Sequence, residues 1–427
     1  MPESPHPQRS AAALLALFYA RRGVGLALRG ARRLVSGGLV YRPNGKGPSR
    51  EEARSRGTTA DTSVLIVDQH LPRPDVDSGS VRMSAIAKIF QGLGFGVSII
   101  ADDLSPGPGS DNYATPSFGT MLDVVRWLRA RRNEIRLVIL SRHTTASHWT
   151  PLIRELLPEA RIVFDTVDLH YLRESRHASR VGSTMLELLA RITRSRELDA
   201  VRATDCTWVV SPVEKTLLER ECPESRVQLV SNIVDVLPNR PGFTDRAGYL
   251  FVGNFSHEPN VDAIEWLASW WPIVRAERRS VHLKVIGGGM PRPLKHKLER
   301  VDGIEVLGHV KDLESFLRSS RVMLAPLRYG AGVKGKINAA FAAGLPVVGT
   351  PCAMEGMIDT AAMSLGLGDT PESLARAAVR AHEDEALWQS LAEAGVQQAT
   401  RAFSTAVAVG AICRTLGAIG VDQPSRR

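Results

Sequence analysis

PLRYGAGVKGKINAAFAAGLPVVGT, residues Pro326–Thr350, decides how this chain is read. The apolar run Val322-Met323-Leu324-Ala325 leads into it as a short strand. Gly330, Gly332 and Gly335 then predict a loop, and Ile337 to Ala343 a helix. Gly344 and Pro346 stop that helix, and Val347-Val348 opens another strand. Strand, glycine loop, helix and strand make one βαβ unit of a parallel sheet. Glycines let backbone approach a ligand closely, and a helix N-terminus offers free N–H groups and partial positive charge to an anion. Lys334 and Lys336 add two full charges at the same point. The pattern predicts a phosphate site.

Outward from this stretch, composition sets the frame. A chain of 427 residues is long enough for two domains, and 44% apolar with 23% charged residues is the balance of a water-soluble globular body. Cys206, Cys222, Cys352 and Cys413 form no CxxC pair, which argues against a disulfide frame or a metal knot and for a reducing compartment. The net charge of +9 suggests nucleic acid until it is located. Residues 1–60 hold eleven Lys/Arg against three acids, so eight of the nine charges belong to a leader. The remainder need not bind nucleic acid. Within the leader, Arg21, Arg22, Arg29, Arg32 and Arg33 fall on one helical arc, with Val24, Ala27, Ala31 and Leu34 opposite. Residues 11–34 thus read as a basic amphipathic helix suited to an anionic membrane surface.

Beyond the leader, short apolar runs alternate with helical stretches. Val64 to Asp68 is a buried parallel strand, and the loop after it, QHLPRPDVDSGSVR, carries Gly79, Ser80 and Arg82 into a helix near Met83 to Gln91. Strands follow at Val97 to Ile100, Leu137 to Ser141, Ile162 to Phe164, Cys206 to Val210 and Val227 to Val230. The third of these runs into DTVDLHYLRESR, Asp165 to Arg176. Asp168 and His170 are spaced by two and share a face if the segment is extended, at a sheet edge where doubly wound folds bind ligands. His143 and His148 follow the preceding strand as weaker candidates. Leu237-Pro238-Asn239-Arg240-Pro241-Gly242 reads as an interdomain linker. The alternation then repeats from Tyr249, and one long helix is expected from Pro371 to about Gln398.

The motifs continue past the opening stretch. FVGNFSHEPN (Phe251 to Asn260), KVIGGG (Lys284 to Gly289) and IEVLGHVKDLESFL (Ile304 to Leu317) precede G-x-G-x-K-x-K and AAGLPVVGT. Together, over about residues 62–404, they resemble the retaining glycosyltransferases of family 4. The resemblance implies an α/β chain of GT-B fold: two Rossmann-like doubly wound domains facing each other across a cleft. Its expected parts are a leader at 1–60, an acceptor-side domain at 61–238, a nucleotide-sugar domain at 245–402, and a C-terminal helix and tail at 403–427 that returns to the first domain. It further implies that Gly79, Gly253, Asn254, Gly332, Val333, Lys334 and Lys336 serve the donor and that Asp168 and His170 serve the transferred sugar. No metal and no cofactor beyond the nucleotide-diphosphate sugar are expected.

The chain departs from the family at two positions. Aligned on AAGLPVV, the two glutamates that many members carry with seven residues between them are Ala331 and Ala339 here. Glu355 is the carboxylate nearest in sequence to replace the ribose contact. The expected reaction is transfer of a sugar to a hydroxyl acceptor, a sugar or lipid-linked glycan, with retention. Its expected setting is cell-surface polysaccharide or glycan synthesis, in the cytoplasm or at the inner face of the membrane. The alternatives are a non-catalytic GT-B protein and a nucleotide-sugar epimerase or hydrolase.

Overall fold

The computed structural model describes residues 62–74, 77–105, 113–357 and 360–424. The basic leader, and the amphipathic helix expected at 11–34, lie outside the described residues. The rest forms two parallel sheets. The first is β1 (Ser63–Asp68), β2 (Gly96–Ala101), β3 (Ile135–Ser141), β4 (Arg161–Asp165), β5 (Cys206–Val209) and β6 (Val227–Leu229), in the order β2-β1-β3-β4-β5-β6. The second is β7 (Tyr249–Val252), β8 (Leu283–Ile286), β9 (Ile304–Gly308), β10 (Val322–Ala325) and β11 (Val347–Gly349), in the order β11-β10-β7-β8-β9.

The apolar runs become strands because both of their faces are covered. Leu65, Val67, Val138, Leu140 and Phe164 point to one core layer, while Val64, Ile66, Leu137, Ile139 and Val163 point to the other. Alternation to opposite faces with helices on both sides is what allows a continuous apolar strand. Winding reverses at β1/β3 in the first sheet and at β7/β10 in the second. At each reversal the loops leave the carboxyl edge in opposite directions and open a crevice. The segments that follow β1, β3, β7 and β10 are therefore the ones that fold physics assigns to ligands.

The expected long helix after Pro371 is two, Pro371–Glu383 and Glu385–Gln398. Asp384 divides them: its backbone is extended and its side chain accepts from Leu387 N, capping the second helix. A π-helical turn, Ala399–Phe403, and extended Ser404 then precede the last helix, Thr405–Ile419. Glu385–Ile419 is apolar and long enough to cross a membrane. Part of its apolar surface packs within the protein. Leu387 and Leu391 enter the second core, whereas Ile412 and Leu416 enter the first, where Trp208 Nε1 donates to Thr415 Oγ1 at 3.0 Å. The chain thus passes between the sheets twice. The two passages are bonded to each other through Val234 N to Phe403 O at 2.7 Å and through Thr405 to the Asp235 carboxylate at 2.9 and 2.6 Å.

Candidate active site

After β10 the backbone turns through Gly332, whose φ of +65° lies in the left-handed region. A Cβ there would stand 3.0 Å from Asp168 Cβ and 3.1 Å from Val210 Cγ2, so only glycine brings this loop against the first domain. Lys334 is the cap residue of helix Gly335–Ala342, and its ammonium folds back on Gly332 O at 2.6 Å and Ala331 O at 3.2 Å. Lys336 reaches the other way, donating to Asn260 Oδ1 at 2.7 Å and standing 5.1 Å from the Phe251 ring centre. Asn260 Nδ2 in turn donates to Asn254 O at 2.7 Å, and a Cβ on Gly253 would press on Asn260 at 3.0 Å. Gly253, Asn254, Asn260 and Lys336 are one connected cluster in the β7/β10 crevice. Burial, then the charge of Lys334, pushes Lys336 down to about 7. Burial also lowers Lys334. Two ammonium groups beside a helix N-terminus, both short of counter-charge, are arranged to receive an anion.

The first domain meets this cluster with the strand end after β4. Asp165 is fully buried and held by Arg82 at 2.7 Å, with Arg82 also donating to Val230 O and Ser231 O. It is a structural ion pair. Val167 next adopts φ +64°, a conformation that a β-branched residue avoids. The turn it makes sends Asp168 outward into an ion pair with Arg173. Burial raises the Asp168 carboxyl, but Arg173 and His170 outweigh it and hold it to about 2. His170 opens helix His170–Val181, with Nδ1 3.1 Å from Asp168 O and 3.6 Å from Glu197 Oε1. Glu197, buried on helix Thr184–Ala203, accepts from the N–H groups of both His170 and Tyr171 and so caps that helix. His143 packs edge-on to His170 at 4.8 Å between ring centres. The ligand atoms of His143, His170 and Glu197 lie within 4.8 Å of one another, the one grouping among the described residues that could hold a metal. His148 stands apart from it, 3.6 Å from Asp102 at the end of β2.

Several contributors carried no sequence signal. Arg142, just past β3 with φ +71°, pairs with Asp68 and lies close to Asp77 and Asp168. Gly79 faces Arg142 and Val167 within its own domain. Ser78, its neighbour, is what abuts the loop after β10: a Cβ on Gly335 would come within 2.6 Å of Ser78 Cβ. The cap of the helix Ser78–Gly92 is Asp77, not Ser78 or Ser80. His257, from the second domain, sits among Arg173, Asp168, Asp77 and Arg142, and burial followed by Arg173 pushes it below the usual imidazole range. Glu214, wholly buried under the turn, accepts from Leu169 N at 2.9 Å. Burial raises it to about 8, so it is largely protonated at neutral pH.

The domains are joined across the loop. Arg176 donates to Gly330 O at 2.6 Å and to both oxygens of Glu355 at 2.9 and 2.8 Å. His177 stacks on Tyr329 at 4.7 Å, and Asn232 Nδ2 donates to Val333 O at 3.0 Å. Glu355 is thus committed to Arg176, and any hydroxyl it accepts from must share the carboxylate. Beside this pair opens a cavity of about 610 Å³, lined by Ser175, Arg176, Ser179, Arg180, Arg328 and Cys352 among others.

Residues 246–384 match the family described as glycosyl transferases group 1. That segment is a group 1 glycosyltransferase domain. The fold of the chain around it is GT-B, as its structural likenesses show. Sucrose-phosphate synthase from Thermosynechococcus elongatus superposes with a TM-score of 0.64 at 16% identity, over 84% of this chain and 99% of that one. Anabaena HepE, in complex with UDP and glucose, gives 0.62 at 14% identity, over 83% and 99%. A mutant of S. aureus TarM, in complex with fondaparinux, α-GlcNAc-glycerol and UDP, gives 0.55 at 10% identity, over 68% of this chain and 57% of that one. No curated protein matches the chain. The family match covers β7 to β11 and with them Gly253, Asn254, Lys334, Lys336 and Glu355.

Proposed function

We propose that this glycosyltransferase moves a sugar from a nucleotide-diphosphate donor to a hydroxyl acceptor, with retention at the anomeric carbon. One observation carries the reading: the Lys336–Asn260–Asn254 cluster and the Lys334-capped helix share a crevice that Asp168 closes from the other domain. The diphosphate leaving group gains negative charge as the glycosidic bond breaks. Lys334, Lys336 and the helix N-terminus supply the compensating charge that a divalent cation supplies in other enzymes. Asp168, ionised, and His170 stand where the sugar and the incoming hydroxyl would be oriented. Domain contact over the loop would keep water from the same bond. Retention, and an acceptor in cell-surface or lipid-linked glycan synthesis at the cytoplasmic face, rest on the sequence resemblance. The complexes of HepE and TarM with UDP make UDP the first base to try.

A second reading, a non-catalytic GT-B protein that binds a nucleotide sugar, draws on Ala331 and Ala339. Ala331 contributes only a carbonyl, which holds Lys334, and Ala339 packs against the second core. Neither offers a side-chain carboxylate to accept a hydrogen bond from a ligand hydroxyl, and a lost charged contact of this kind weakens binding by roughly ten- to a hundred-fold.

Calorimetric titration with UDP, GDP, ADP and CMP tests the donor site. Micromolar binding of one of them, lost in Lys336→Ala, is expected. The proton balance sharpens it. Free lysine titrates near 10.4, so between about pH 7 and 10 the folded protein holds Lys336 neutral while the unfolded chain protonates it. Its contribution to folding stability therefore grows as pH rises through that window. An arriving diphosphate restores the charge, so binding at pH 8 should take up protons, read as a dependence of the heat on buffer ionisation. Binding without uptake would remove Lys336 from the phosphate site.

A further inference from the structure

We propose that the tip of the helical hairpin His170–Val181/Thr184–Ala203 docks on an anionic lipid surface, seating Val181, Met185 and Leu188 in the bilayer interface. The hairpin turns at Gly182, which has φ +66°, and Ser183 caps the second helix. Its inward face is accounted for by Tyr171, Ala178, Leu189, Ala190 and Thr193, all buried. Its tip is not. Val181 at 54%, Met185 at 53% and Leu188 at 54% are the most exposed large apolar side chains among the described residues, and all three fall within eight positions of one turn. Single exposed apolar residues are ordinary, but a contiguous group rimmed by charge marks a surface that something covers.

The charge says what covers it. From Ser175 to Arg196 the chain carries five arginines (Arg176, Arg180, Arg191, Arg194 and Arg196) against the single acid Glu187. That is a net of +4, while everything beyond residue 60 sums to about +1, so the rest of the body is slightly acidic. Arg176 is held by Glu355 and Arg194 by Glu221 at 3.1 Å, which leaves Arg180 and Arg191 as the guanidinium groups beside the exposed apolar side chains. Arg180 is exposed and forms no ion pair among the described residues, and the exposed Arg191 reaches only the half-buried Glu187 at 3.6 Å. A second copy of this chain would set one arginine cluster against another. A bilayer with anionic headgroups meets both demands at once, taking the apolar side chains at the acyl boundary and the guanidinium groups at the phosphates.

The same hairpin lines the cleft. Ser179 and Arg180, one turn from Val181, wall the 610 Å³ cavity that Glu355 and Cys352 close from the second domain. Docking by the tip places the cavity mouth at headgroup level. On the glycosyltransferase reading, this favours an acceptor held in the membrane by a phosphate-bearing lipid.

The test is sedimentation of the full-length protein with vesicles of phosphatidylcholine alone and of phosphatidylcholine mixed equally with phosphatidylglycerol, at low and high salt. Salt-sensitive binding to the mixed vesicles only is expected, weakened about tenfold or more in Met185→Glu/Leu188→Glu. The basic leader is present in every sample, so the comparison isolates the hairpin. Arg180→Glu/Arg191→Glu, which alters only exposed side chains, should weaken binding similarly and guards against misfolding of the first variant. Wild-type vesicle binding in both variants overturns the proposal. So does a wild-type dimer by light scattering that Met185→Glu/Leu188→Glu converts to monomer, because the patch then belongs to a second copy. UDP binding is measured separately on the same samples, so loss of the docking surface and failure of the donor site read out independently.

Discussion

Two loops meet at the centre of the molecule, and they reach their shapes by opposite means. The loop after β10 turns on glycine: Gly332 takes a left-handed φ at no steric cost, and its missing side chain lets Asp168 approach. The loop after β4 turns on Val167, held at φ +64° against its own preference. Arg82, Arg173, Glu197 and Glu214, drawn from four different segments, hold the ends of that turn. One loop is self-sufficient and the other depends on its surroundings. A left-handed non-glycine residue costs roughly 1–2 kcal/mol, and such strain gathers where geometry serves a site. The loop after β10 is thus a local motif, and the loop after β4 is a tertiary construction.

Substitutions can break that contrast or sharpen it. The largest effect is expected on the donor side, where Lys334→Ala removes both a charge and the clamp on Gly332 O and Ala331 O. Turnover should fall on the order of a hundred-fold with little change in melting temperature. Unaltered turnover would mean that the loop does not carry the leaving group. Next is the pair that joins the loops. Arg176→Gln and Glu355→Gln should each raise the donor KM by about tenfold. A double-mutant cycle should return a coupling of about 1.5–3 kcal/mol, as for charge-assisted bidentate bonds. Additive effects would show that the two residues act on the donor separately. The smallest effect falls on Val167→Gly. Relief of strain should leave stability unchanged or higher by up to about 1 kcal/mol, while turnover drops as Asp168 loses its fixed direction. A clear loss of stability would show that Val167 is held by packing and that the strain is not a property of the site.

The same contrast explains what the sequence disclosed. Parallel strands and the glycine loop are local patterns, and each stands within a residue or two of its expected place. Asp168 and His170 were reachable because they follow a recognisable strand directly. They do not share a face by extended alternation, however, because Val167 turns the chain and His170 begins a helix. Arg142, Glu197, Glu214 and Arg176 were not reachable, since nothing beside them in the chain says that they converge. Gly79 was favoured over Ser78 because glycine advertises itself, although it is the serine that touches Gly335. Glu355 was expected as a replacement for a missing carboxylate. Only the fold shows Arg176 holding both of its oxygens, because those two residues are 179 positions apart.

The two passages between the sheets have a mechanical meaning. Chain crosses near Val234–Leu237 and again near Phe403–Thr405, and hydrogen bonds tie the crossings side by side. A body hung on one flexible cord can swing in any direction, whereas two cords pinned together define an axis. The domains should therefore open like a book about that spine, with Gly332 and Asp168 at the fore-edge, and with sideways slip of one domain past the other suppressed. Cleavage of the backbone between Leu237 and Gly242 would leave the covers bound together by the final helix, still able to close on each other.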